Sequence, residues 1–224
     1  MTILSTSAGT VAHGSQGSGN PVVLPPSGDH EHHDYDEIRD LLPGRFRSIG
    51  VDWPGHGHSP AGTSPSTELR LTQIVEELLD PNARGHRPGV GNSAGGNVAA
   101  RLAIRRPDLL KGLVIIDGGG FEGSRLLGRV FCALMNRRWF TRRIYSLFSW
   151  AYTRPRAAID RAAKTARDLI PGSGLVVTES GHLPHTTSPA AVAAELTSLA
   201  NTAFDAVRRT NDTQHSSPAA KEQE

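Results

Sequence analysis

Gly91-Asn92-Ser93-Ala94-Gly95-Gly96 sets one serine among small residues, between a short extended run at Pro88–Val90 and an apolar stretch of helical spacing at Asn97–Arg106. A turn of the form Gly-x-Ser-x-Gly leaves a strand, reverses sharply and enters a helix, and only near-hydrogen side chains fit on either side of the strained serine. Gly91 and Gly95 meet that demand, which makes Ser93 the candidate nucleophile. The helix that follows directs its N-terminal N–H groups and positive dipole end at the same point, where they would stabilise an oxyanion. A glycine-rich helix start with an incidental serine is the competing reading of the same stretch.

Working outward, strands and helices alternate. Pro21–Leu24 reads as a buried strand running into Pro25-Pro26 and a turn at Ser27-Gly28-Asp29, and Asp36–Leu42 has helical spacing. Arg47–Val51 reads as the next strand, ended by the long turn Asp52-Trp53-Pro54-Gly55-His56-Gly57-His58-Ser59. Leu71, Ile74, Val75, Leu78 and Leu79 share one helical face closed by Pro81, and Leu113–Ile116 is a buried strand delivering Asp117. Gly174–Thr178 returns to strand character before Glu179-Ser180-Gly181-His182, and a last helix runs from Pro189 to about Arg208. This alternation predicts an α/β fold, a mostly parallel sheet with helices on both faces and ligands at the carboxyl ends of its strands. There are no internal repeats.

At 224 residues the chain suits one domain, 1–208, followed by a polar tail, 209–224, expected to be disordered. Its longest aliphatic run, Leu113–Ile116, is far too short to span a bilayer, and the first residues lack a basic start and a long apolar stretch. A cytoplasmic location is therefore expected. Cys132 is the sole cysteine, which excludes an internal disulfide. The net charge of +2 conceals an asymmetry, because Phe121–Asp168 holds ten arginines and Lys164 against Glu122, Asp160 and Asp168, so it carries +8 and the remainder −6. Eight of the twelve aromatic residues lie within Phe121–Tyr152, where Leu126, Leu127, Val130, Phe131, Leu134 and Met135 keep helical spacing. The expectation is an inserted helical lid, about 121–168, in preference to a nucleic-acid or anionic-membrane surface, since amphipathic helices need a partner face.

With the element order in view, the chain resembles the α/β-hydrolase fold family, in its lid-bearing esterase and lactonase-like branch. Three motifs carry the resemblance: the elbow Gly91-Asn92-Ser93-Ala94-Gly95, the Asp52-x-Pro54-Gly55-x-Gly57-x-Ser59 turn, and Gly181-His182 after the last strand. The resemblance implies that Ser93 attacks a substrate carbonyl and that His182 takes its proton and returns it to the leaving group. It makes the Ala94 N–H one oxyanion donor. The second donor belongs to the loop after the early strand, where Pro25 and Pro26 have no N–H, so it falls to Gly28 or Asp29.

The triad acid departs from the family pattern. Relatives insert a further strand ending in a Gly-x-x-Asp turn between lid and histidine loop, and no such element is present; Asp160 and Asp168 lie in a basic helical stretch without a preceding strand. Some members take the acid from the end of the preceding strand, which here is Asp117. A carboxylate bound to the Gly118–Gly120 backbone is the other reading of that residue. With one strand missing, the histidine strand must either pair beside the Asp117 strand or leave a gap.

The leading expectation is a cofactor-independent serine hydrolase acting on an ester, thioester or lactone through a covalent acyl-enzyme. Its rivals are a catalytically degenerate hydrolase fold that binds a ligand or partner, and a membrane-surface protein using the basic segment. The partner expected is a small acyl substrate, with no nucleic acid; oligomeric state is not legible. His185 competes with His182 for the base, although Gly181 favours the latter. His30, His32 and His33 with Asp29, Glu31 and Asp34 offer the donor types of a divalent-metal site, but successive loop residues point in different directions and no distant ligand is evident, so no metal is expected.

Overall fold

The computed structural model describes residues 1–28, 30–79, 87–118, 139–140, 143, 164, 167–168, 170–178, 180 and 182–215. A hairpin opens the chain, β1 (Thr2–Thr6) and β2 (Gly9–Gln16), closed by Thr6, whose hydroxyl donates to the Gly9 carbonyl at 2.6 Å. Gly9 takes φ +144°, a conformation that side chains rarely adopt. Reading from Pro21 onward does not anticipate this hairpin. Beyond it lie β3 (Asn20–Leu24), β4 (Phe46–Val51), β5 (Arg87–Asn92) and β6 (Leu110–Ile116), in the spatial order β1-β2-β4-β3-β5-β6. The hairpin joins antiparallel through β2 and β4; β4, β3, β5 and β6 run parallel.

Parallel strands need long crossover connections, which lay helices across the sheet faces, and the strand sequences show both faces being used. Val23 points into a core with Val51, Trp53, Ile74, Val75, Val98 and Leu102, built under α2 (Glu68–Leu78) and α3 (Ala94–Arg105). Its neighbours Val22 and Leu24 point the opposite way, into Tyr35, Ile38, Val90, Ile116, Val192 and Leu196. That second core lies under α1 (Asp36–Leu41) and α5 (Pro189–His215); α4 (Pro184–Thr187) precedes α5. The expected α/β fold with a mostly parallel sheet and helices on both faces is present.

Two expectations are corrected. Gly174–Thr178 is not a strand: it has no partner among the described residues, and Val176 and Val177 are each 55% exposed. A β-branched run forms a strand only where a neighbouring edge accepts its N–H and C=O groups, and the described sheet stops at β6. The last helix continues past Arg208 to His215, so 209–215 extend it. A helix satisfies its backbone groups internally, so a polar segment can extend one that has already formed. Most of the expected lid, 121–168, and residues 216–224 lie outside the described residues. No described helix is long and apolar enough to cross a membrane.

Candidate active site

Strand β5 ends at Asn92, and the chain turns into α3 through Ser93 at φ 49° and ψ −114°. Hydrogen bonds lock the turn on both sides: the Ser93 N–H donates to the Ile116 carbonyl at 3.0 Å, and the Asn97 N–H donates to the Ser93 carbonyl at 3.2 Å. A Cβ at Gly91 would fall on the Gly95 backbone, and one at Gly95 would fall on the carbonyls of Pro25 and Pro26. The two glycines of the motif are thus demanded by close backbone approach as well as by the turn.

Asp117 follows β6 directly and is, with Ser93, one of the two non-glycine residues at positive φ among those described, at 44°. Such a conformation costs free energy in a non-glycine residue and persists where the surroundings impose it. Here it carries the Asp117 carboxylate to Nδ1 of His182, with which it is hydrogen-bonded. The two side chains are 35% and 12% exposed. A proton on Nδ1 shared with a carboxylate selects the tautomer in which Nε2 carries the lone pair, the form a general base needs.

Asn92 joins these pieces. Its side-chain amide donates to the Ile116 carbonyl at 3.0 Å and to the His182 carbonyl at 2.9 Å. The residue before Ser93 therefore holds the backbone immediately before Asp117 and the backbone of His182 itself. No strand is needed to bring the histidine loop to the sheet.

The loop after β3 lies over the elbow. Gly28 approaches Ala94 closely enough that a Cβ on the glycine would sit 3.3 Å from the alanine Cβ. The expected oxyanion donors Gly28 and Ala94 are thus brought together; Asp29 lies outside the described residues. Two buried aromatic side chains hold this loop. Trp53 donates from Nε1 to the carbonyls of Pro26 at 3.1 Å and Ser27 at 3.0 Å. The Tyr35 hydroxyl donates to the Pro25 carbonyl at 3.0 Å and accepts from the Asn92 N–H at 2.9 Å. Burial pushes the Tyr35 pKa well above its ordinary value, so the hydroxyl keeps the proton it donates.

The remaining candidates separate. His185 is fully buried, with Nε2 3.0 Å from Asp34 Oδ2, and its ring packs 5.0 Å from that of Tyr35. Asp34 also accepts from His30 Nδ1 at 2.6 Å; burial raises its pKa, but the hydrogen bonds to His185 and His30 outweigh that and hold it at about 2. His185 is therefore committed to Asp34, away from Asp117. Asp168 is an exposed carboxylate 2.8 Å from its neighbour Arg167, and Asp160 lies outside the described residues. The histidine-rich loop divides: His30 joins Asp34, His33 joins Asp36 at 2.6 Å, and Glu31 and His32 meet Asp52 and His58 from the turn after β4. Asn92, Tyr35 and Trp53 were not singled out from sequence; the only available signal was a polar-tipped side chain beside a Gly- or Pro-rich loop.

With this geometry in place, comparison with known proteins is direct. The family model described as the alpha/beta hydrolase fold matches residues 20–130. An esterase of Mycobacterium tuberculosis is 35% identical over 109 residues, 45% of this chain and 34% of that protein. The first curated relatives are matched over 22–34% of their own lengths. Among solved structures, an esterase from Exiguobacterium antarcticum superposes with TM-score 0.76 at 16% identity, covering 89% of this chain and 99% of the other. The enol-lactonase from Burkholderia xenovorans superposes with TM-score 0.68 at 18% identity, covering 88% and 99%. At such identities these two likenesses speak for the fold. The elbow, the sheet order and the family match agree: the chain belongs to the α/β-hydrolase superfamily.

Proposed function

We propose that this protein is a cofactor-independent serine hydrolase that cleaves an ester, thioester or lactone. Relatives named as esterases and lipases support a hydrolytic function. The observation that carries the serine mechanism is the Asp117 carboxylate on Nδ1 of His182, one hydrogen-bonded residue away from the elbow serine through Asn92. In this reading Ser93 Oγ attacks the carbonyl carbon while His182 Nε2 takes its proton. The oxygen of the tetrahedral intermediate receives the N–H groups of Ala94 and Gly28, pre-aligned by the start of α3 and by the anchored loop. Collapse expels an alcohol or thiol protonated by His182 and leaves an acyl-Ser93 ester. Water, deprotonated by the same imidazole, then releases the acid and restores the serine.

Labelling with a fluorophosphonate probe tests the assignment. Wild-type protein is expected to label and Ser93→Ala to remain unlabelled; equal labelling of both removes Ser93 as the nucleophile. A wild type that never labels would favour a hydrolase fold that binds without turnover.

A further inference from the structure

Glu31, His32, Asp52 and His58 each place a ligand-type atom within 4.8 Å of all the others. They come in pairs from two loops at the carboxyl ends of the adjacent parallel strands β3 and β4. Asp52 is fully buried and anchors the group: Oδ1 accepts from the His32 N–H at 2.9 Å and lies 2.6 Å from His32 Nδ1, while Oδ2 accepts from the His58 N–H at 2.9 Å. His58 Nδ1 lies 3.6 Å from Oδ2 of the same carboxylate. Two ligands bound at 2.0–2.1 Å to one tetrahedral ion stand about 3.3 Å apart, so that spacing suits a shared ion.

Glycine makes the space. A Cβ at Gly57, which has φ +49°, would fall on both Glu31 Oε2 and Asp52 Oδ2. The turn thus leaves two carboxylate oxygens facing each other across a gap that any side chain would fill. An access route is also present: Glu31 lines a surface cavity of about 510 Å³ shared with Asp34, Asp36 and Glu37, and His58 is 61% exposed.

We infer that Glu31, His32, Asp52 and His58 form a site for a divalent transition-metal ion of the Zn²⁺ type. Two imidazoles and two carboxylates match that class, whereas Mg²⁺ and Ca²⁺ prefer all-oxygen shells. The ion would fasten the loop after β3, which covers the elbow through Gly28, to the turn after β4. Its role is to hold that loop in place, and it stands independently of the serine mechanism.

Calorimetric titration of untagged, chelator-treated full-length protein with ZnCl₂ tests the site. One equivalent is expected to bind, with a rise in thermal midpoint. Glu31→Gln and His58→Ala, both at side chains that reach solvent, are expected to weaken binding at least tenfold, and His33→Ala, an exposed neighbour outside the cluster, to leave it unchanged. Absence of one-site binding overturns the inference. So does binding that survives Glu31→Gln and His58→Ala at wild-type affinity, which would place the ion on other histidines.

Discussion

Asp117 combines a strained backbone, a partly buried carboxylate and a hydrogen bond to the ring nitrogen that a triad acid must hold. A turn carboxylate serving only its own loop has no reason to adopt φ 44° and reach across to His182. An acid in this position fixes the tautomer and stabilises the imidazolium, and in serine proteases that use such a triad its conversion to an amide lowers turnover roughly 10⁴-fold. Asp117→Asn is accordingly expected to lower kcat by a factor of that order with little change in thermal midpoint, measured on an activated ester. Asp168→Asn, whose carboxylate sits on Arg167 at the surface, is expected to leave kcat unchanged. An Asp117→Asn protein that keeps most of its turnover would remove this residue from the mechanism. Sequence supplied Asp117 as one of two readings, because a strand-end aspartate followed by glycines looks the same whether it serves its loop or a distant imidazole.

The elements meet at the loop after β3, and its rigidity rests on few contacts. Tyr35 links that loop to the end of β5, with one hydroxyl bonded to both Pro25 and Asn92. Removing the hydroxyl leaves the Asn92 N–H without its acceptor beneath a fully buried ring, a loss of about 1–3 kcal/mol. At about 2–4 °C per kcal/mol for a chain of this size, Tyr35→Phe is expected to lower the thermal midpoint by several degrees. A calorimetric scan showing no shift would mean that water or a relaxed backbone replaces the bond. The strand read at Gly174–Thr178 shows the same dependence in reverse. Its β-branched residues fit a strand, yet the histidine loop is tied to the sheet by the Asn92 amide, and the run stays in coil. Element type follows local pattern where a partner strand pairs with it, and this run pairs with none among the described residues.

At the scale of the molecule, the charge divides between a basic, aromatic segment, 121–168, and an acidic remainder that contains the described sheet. If that segment closes an apolar acyl pocket over Ser93, hydrolysis of p-nitrophenyl esters should improve about fourfold per added carbon over several carbons, since each buried CH₂ contributes about 0.8 kcal/mol. A flat profile combined with tight binding to anionic vesicles would instead assign the segment to a membrane surface. The sequence by itself determined the alternation of elements, the two-faced sheet and the elbow at Ser93, because helical and strand periodicities and the demand for small residues beside a strained turn are local properties. A single glycine, Gly181, favoured His182 over His185 as the candidate base. The tertiary structure alone decided that Asp117 meets His182, that His185 is committed to Asp34, and that Glu31 and His32 find Asp52 and His58. Glu31 and His32 reach Asp52 and His58 because the adjacent parallel strands β3 and β4 deliver their carboxyl ends to the same end of the sheet, whereas the Asn92 amide holds the His182 backbone there and α4 carries His185.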